Sequence, residues 1–145
     1  MTEEDDRPRI LKAIKKCLMN GDEFFQEAMD ELDEIGKSTI GAGMTPLIGG
    51  YGMKDPKTFY RQSLAKIDSG DRALRPLLIR YKDGRVNESH FKSPNAIILL
   101  KDLEGMDYDI LIRKLSEQSG RESTWYRLKE LREKISELIS LVEDK

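Results

Sequence analysis

The stretch from Ile97 to Ile135, IILLKDLEGMDYDILIRKLSEQSGRESTWYRLKELREKI, does most to limit the folds open to this chain. Its apolar residues recur at helical spacing, and its breaks fall where helix ends belong. Ile97, Ile98, Leu99, Leu100 and Leu103 make a short apolar helix that Glu104-Gly105-Met106 interrupts. Asp107 then caps a second helix carrying Leu111, Ile112 and Leu115, which ends at Gly120. Beyond a tight turn, Trp125, Leu128, Leu131 and Ile135 follow at helical spacing, with Arg127, Lys129, Arg132 and Lys134 between them. This last helix continues to about Val142. Leu128, Ile135 and Val142 fall at one heptad position and Leu131 and Leu138 at the other. Such a face predicts either pairing with a second copy, giving a homodimer, or packing on the chain's own N-terminal helices.

The rest of the chain divides by composition. Residues 1–36 predict an acidic tail and a helical hairpin: Ile10, Leu11, Ile14, Cys17 and Leu18 mark one helix, and Asn20-Gly21 stops it. Asp22 can cap the next, with Phe25, Ala28, Met29, Leu32 and Ile35 on one face and Gly36 at its end. Residues 37–53 form a Gly-rich connection, readable as a flexible linker or as backbone in close approach. In residues 54–92, Asp55-Pro56 starts a basic helix that passes Tyr60, Leu64 and Ile67 and ends at Ser69-Gly70. Leu77, Ile79 and Tyr81 then alternate with Leu78 and Arg80, Asp83-Gly84 signals a turn, and Val86 to Phe91 can return antiparallel. Ser93-Pro94-Asn95 opens the last unit, 93–145. The expected fold is mainly α with a small β-hairpin, either winged-helix-like or a helical bundle with a long C-terminal helix.

Two amphipathic helices joined by a Gly-containing turn, the second rich in basic and hydrogen-bonding side chains, suit presentation of a helix to a DNA groove. Leu115-Ser116-Glu117-Gln118-Ser119-Gly120 and Ser123-Thr124-Trp125-Tyr126-Arg127-Leu128-Lys129-Glu130-Leu131 resemble the helix-turn-helix and winged-helix DNA-binding superfamily. Arg121 stands where such motifs carry a small apolar residue. The resemblance implies that Ser123, Thr124, Tyr126, Arg127 and Lys129 face the groove, with Arg121 at the start of the helix. Arg127 would read guanine or clamp a phosphate. Lys57 and Arg61 would support them on phosphates, as would Lys82 and Arg85 from a wing-like hairpin. The implied partner is double-stranded DNA, bound by a small dimeric transcriptional regulator or a plasmid- or virus-type accessory protein.

Charge bears on this reading. Charged residues make up 36% of the chain, and mean hydropathy is −0.60. The apolar runs are too short for a bilayer, so no membrane partner and a cytoplasmic location are expected. Residues 1–53 carry 6 basic and 11 acidic side chains, 54–92 carry 10 and 5, and 93–145 carry 9 and 11. A basic middle suits phosphate, whereas the acidic N-terminal hairpin suits a second reading. In that reading the chain is a helical protein–protein adaptor or inhibitor that oligomerises through its last helix.

No enzyme is expected, and no catalytic, metal or cofactor residues. Gly36-Lys37-Ser38-Thr39 ends like a phosphate loop, but Glu31 occupies the position of its first glycine and helix precedes it. His90 has no second histidine, and Asp102, Glu104, Asp107 and Asp109 lack calcium-loop spacing. Cys17, the single cysteine, sits among apolar neighbours as a small buried hydrophobe.

Overall fold

The structure, a computed structural model, describes residues 3–44, 56–117 and 120–143, and the side chains from residue 6 onward except those of 35–44 and 56. Two long helices form its spine. Helix α1 spans Glu3–Met44 without interruption. At 1.5 Å per residue, its 42 residues extend about 63 Å. Helix α2 spans Pro56–Lys82 and runs antiparallel to α1. The expected N-terminal helical hairpin is therefore one helix, and its partner comes from the 54–92 segment.

The physical reason lies in two glycines. A Cβ on Gly21 would sit 2.8 Å from Cδ2 and Cγ of Leu74, and a Cβ on Gly70 would sit 2.5 Å from Cε1 of Phe25. Real Cβ atoms do not approach so closely, so each glycine is a notch that admits a large side chain of the opposite helix. Glycine within a helix costs about 1 kcal/mol relative to alanine. Burial of Phe25 and Leu74 against the notches, each fully enclosed, offsets that cost. Lower down the pair, the Ser63 hydroxyl donates to the Ala28 carbonyl at 3.1 Å.

The expected β-hairpin is absent, and the described residues contain no strand. Leu74, Leu77 and Tyr81 recur at helical spacing along the inner face of α2, whereas Ile79 is 51% exposed. The apparent alternation of Leu77, Ile79 and Tyr81 arose because an outward isoleucine happened to fall between two inward residues. The turn signal at Asp83-Gly84 is real, but it closes a helix. Gly84 adopts φ +85°. Its N–H reaches the Tyr81 carbonyl at 3.2 Å, and the Val86 N–H reaches the Arg80 carbonyl at 3.0 Å. Carbonyls left over at the end of α2 are thereby satisfied. A 3-10 turn, Glu88–His90, follows, capped by the Asn87 side chain.

Three shorter helices dress the spine. Helix α3 covers Asn95–Glu104, α4 covers Tyr108–Ser116 and α5 covers Arg121–Leu141. Their limits follow the expected signals: Asp107 accepts from the Asp109 N–H at 3.0 Å, and Gly120 adopts φ +68° before α5. Helix α4 lies on α2, and α5 lies along α1 and α3. Phe25 stacks on Tyr108 with centroids 5.9 Å apart, joining α1 to α4. The heptad residues Leu128, Leu131, Ile135, Leu138 and Val142 all belong to the one buried core, so that seam is occupied by the chain itself. Finally, Phe91 bridges antiparallel to Val142, which ties the segment after α2 to the end of α5. No described helix is long and apolar enough to cross a membrane.

Candidate anion-binding site

The ten residues expected to meet DNA do not share one surface. Six lie near the start of α5, beside the acidic half of α1. Thr124 is fully buried and cannot reach a groove. Arg121 is half-buried, with Nη1 3.5 Å from the Leu32 carbonyl. The Ser123 hydroxyl donates to the Gly120 carbonyl at 3.1 Å. Tyr126 is exposed and meets Trp125 edge-on, while Lys129 lies 5.9 Å from the Trp125 ring. Arg127 pairs with Glu130 at 3.5 Å. The exposed charges of α5 are Glu122, Arg127, Lys129, Glu130, Glu133 and Glu137, four acids against two bases. Such a face repels phosphate more than it attracts it.

Lys57 and Arg61 are exposed on the first turns of α2. Lys82 is the last residue of α2 and Arg85 lies just beyond it, and the 21 residues from Arg61 to Lys82 put about 31 Å between the two along the axis. With no hairpin present, neither of the latter sits on a wing. Lys82 pairs with Glu104 of α3 at 2.9 Å, and Arg85 pairs with Asp83 at 2.6 Å. That pairing holds the Asp83 carboxyl below the usual carboxylate range, chiefly through the hydrogen bond from Arg85.

The end of the spine where Lys82 and Arg85 lie is the notable one. There the first turns of α1 run beside the last turns of α2. From Arg7 to Lys16, α1 carries five basic residues (Arg7, Arg9, Lys12, Lys15 and Lys16) and no acidic one. From Asp22 to Glu34 it carries seven acidic residues and no basic one. A single helix is thus divided by charge, and antiparallel packing sets its basic third against Arg80 and Arg85.

Between them opens a cleft of about 800 Å³, whose walls include Arg7, Arg9, Arg80 and Arg85, together with Asp6 and Asp83. Arg7 donates to the Ser89 carbonyl at 2.7 Å and Arg80 to the Pro76 carbonyl at 3.2 Å, so backbone oxygens orient both guanidiniums. His90 forms part of the same wall and is buried, and its Nδ1 accepts from the Asn87 N–H at 3.2 Å. Burial depresses the His90 pKa, and the charge of Arg7 depresses it further.

Arginines converging on a concave surface are suited to carboxylate or phosphate. Sequence reasoning missed Arg7, Arg9 and Arg80 because a sum over residues 1–53 averages the two halves of α1 to a net acid. The run RPRILKAIKK, free of acids, was the available signal. Among the described residues no group of three or more His, Cys, Asp or Glu side chains could hold a metal ion. No protein-family model matches this chain, and neither a curated protein nor a solved structure is similar to it.

Proposed function

We propose that this chain is a small helical protein that binds duplex DNA through the phosphate backbone, using the basic end of the α1–α2 spine. The observation that carries the reading is the acid-free basic run of α1 lying beside Arg80 and Arg85. Arg9, Lys12 and Lys16 are exposed at i, i+3 and i+7, so they line one side of α1 over roughly 10 Å. Over that length one strand of a B-form duplex presents about three phosphates. Contact of this kind is electrostatic and indifferent to sequence, because helix α5 offers no matching basic face for base edges.

The test is fluorescence anisotropy of a labelled duplex at 50 and 200 mM salt. Neutralising three phosphates predicts affinity lower by about fortyfold at the higher salt. Arg127→Ala should leave binding within about twofold, whereas a paired reversal, Lys12→Glu with Lys16→Glu, should remove most of it. No binding even at 50 mM salt would exclude DNA. Loss of binding in Arg127→Ala would return the contact to α5.

A second reading is favoured by the other half of α1. Asp30 and Asp33 are exposed within the stretch of seven acids, a face suited to a basic protein partner. Binding to a basic peptide that survives reversal of Lys12 and Lys16 would support this adaptor reading over the first.

A further inference from the structure

Beneath the arginine cleft lies a second, smaller cavity of about 150 Å³, walled by Ile10, Ile14, Cys17, Leu77 and Val86. Apart from two side chains its lining is apolar. The two exceptions are Arg9 and Arg80, which line this cavity and the cleft above it alike. A pair of guanidiniums therefore stands at the mouth of a greasy hole.

We propose that this is a binding site for a small amphipathic anion, with a carboxylate or phosphate head between Arg9 and Arg80 and an apolar body of about six carbons in the cavity below. The size follows from the volume, since an apolar cavity of this size takes a benzene-sized group. Such a cavity has too few polar partners to hold water well, so filling it with hydrocarbon removes apolar surface from solvent. The head-group chemistry follows from the mouth. Among the described residues no carboxylate lies within ion-pairing distance of Arg9 or Arg80, and Asp83 is engaged by Arg85. The cavity is lined by α1, α2 and Val86 of the segment that follows α2, so an occupant would clamp the basic end of the spine. The site stands independently of DNA binding, because its occupant is held by the cavity as well as by charge.

Cys17 supplies a built-in reporter, being the only cysteine in the chain and part of the cavity wall. Burial pushes its thiol pKa up, so alkylation by iodoacetamide is followed at about pH 9, without nucleic acid. Hexanoate and hexyl phosphate are the probes for the two head groups, with acetate and 1-hexanol as controls. Alkylation should slow about tenfold when a probe fills nine-tenths of the sites. Acetate should give little protection for want of a body, and hexanol little for want of a head. Arg9→Gln, a change on the exposed side of α1, should weaken protection by either anion, with its melting temperature checked against the parent. Whichever anion protects more identifies the head group. Equal protection by hexanol, unchanged protection in Arg9→Gln, or no protection by either anion at saturating concentration would overturn the proposal.

Discussion

The two ends of the α1–α2 spine share one architecture and use charge in opposite ways. At the acidic end the carboxylates draw cations from other helices: Asp22 meets Arg132 of α5 at 2.8 Å, and Glu27 meets Lys66 of α2 at 2.7 Å. Those pairs knit the fold together. At the basic end Arg80 donates to a backbone carbonyl, which fixes its direction without neutralising it, while Lys82 and Arg85 pair with Glu104 and Asp83. A carboxylate partner neutralises a cation, whereas a carbonyl only aims it. Charge at the acidic end is therefore engaged largely by other helices, whereas at the basic end Arg9, Lys12 and Lys16 face outward from α1.

The strongest way to break this contrast is the Lys12→Glu and Lys16→Glu pair. It should lower affinity for a duplex at 50 mM salt by about a hundredfold while leaving the thermal melting midpoint nearly unchanged. A large fall in the midpoint would mean that the basic end is structural after all. Next in size is Gly70→Val between the two ends, where added carbons collide with Phe25. Urea denaturation should report a loss of about 2–3 kcal/mol. A smaller effect is expected from Asp22→Ala. Its pair is only partly exposed, and its loss should cost about 1 kcal/mol in urea, with duplex affinity unaltered. The smallest concerns His90. Its folded pKa lies below the ordinary 6.5, so the unfolded chain binds the proton more readily. The contribution of neutral His90 is full above pH 6.5 and is lost as pH falls toward its folded pKa. A His90→Gln variant should show a flatter stability profile between about pH 7 and 5 than the parent.

Legibility of the sequence followed the range of the interactions that decide each feature. Pro94, Asp107 and Gly120 act on neighbours a few residues away, and the limits of α3, α4 and α5 could be read from them. Gly21 and Gly70 look locally like helix stops, yet each is set by a side chain about fifty residues away that needs room. Asp83-Gly84 was a true turn attached to the wrong element, because the residues before it carried both an alternating and a helical pattern. The candidate site was hidden for a similar reason. Arg7 and Arg9 stand more than seventy residues from Arg80 and Arg85, and only the antiparallel course of α1 and α2 brings them to one cleft. For α5, heptad spacing was visible, but a heptad does not say whether the facing helix belongs to the same molecule.

The notches at Gly21 and Gly70 also act as a ratchet for alignment. Two smooth helices can slide past each other by a turn, about 5.4 Å, and still bury leucines. Here a slip of one turn in one direction brings Phe25 opposite Leu74, two large groups with nowhere to go. In the other direction Gly21 comes opposite Gly70, leaving a void where two side chains had been. Only the observed alignment fills both notches at once. That alignment sets Arg80 level with Lys15, with Arg9 about 9 Å further toward the start of α1. The spacing of the guanidiniums at the mouth of the cavity is thus determined by two absent side chains in the middle of the rod.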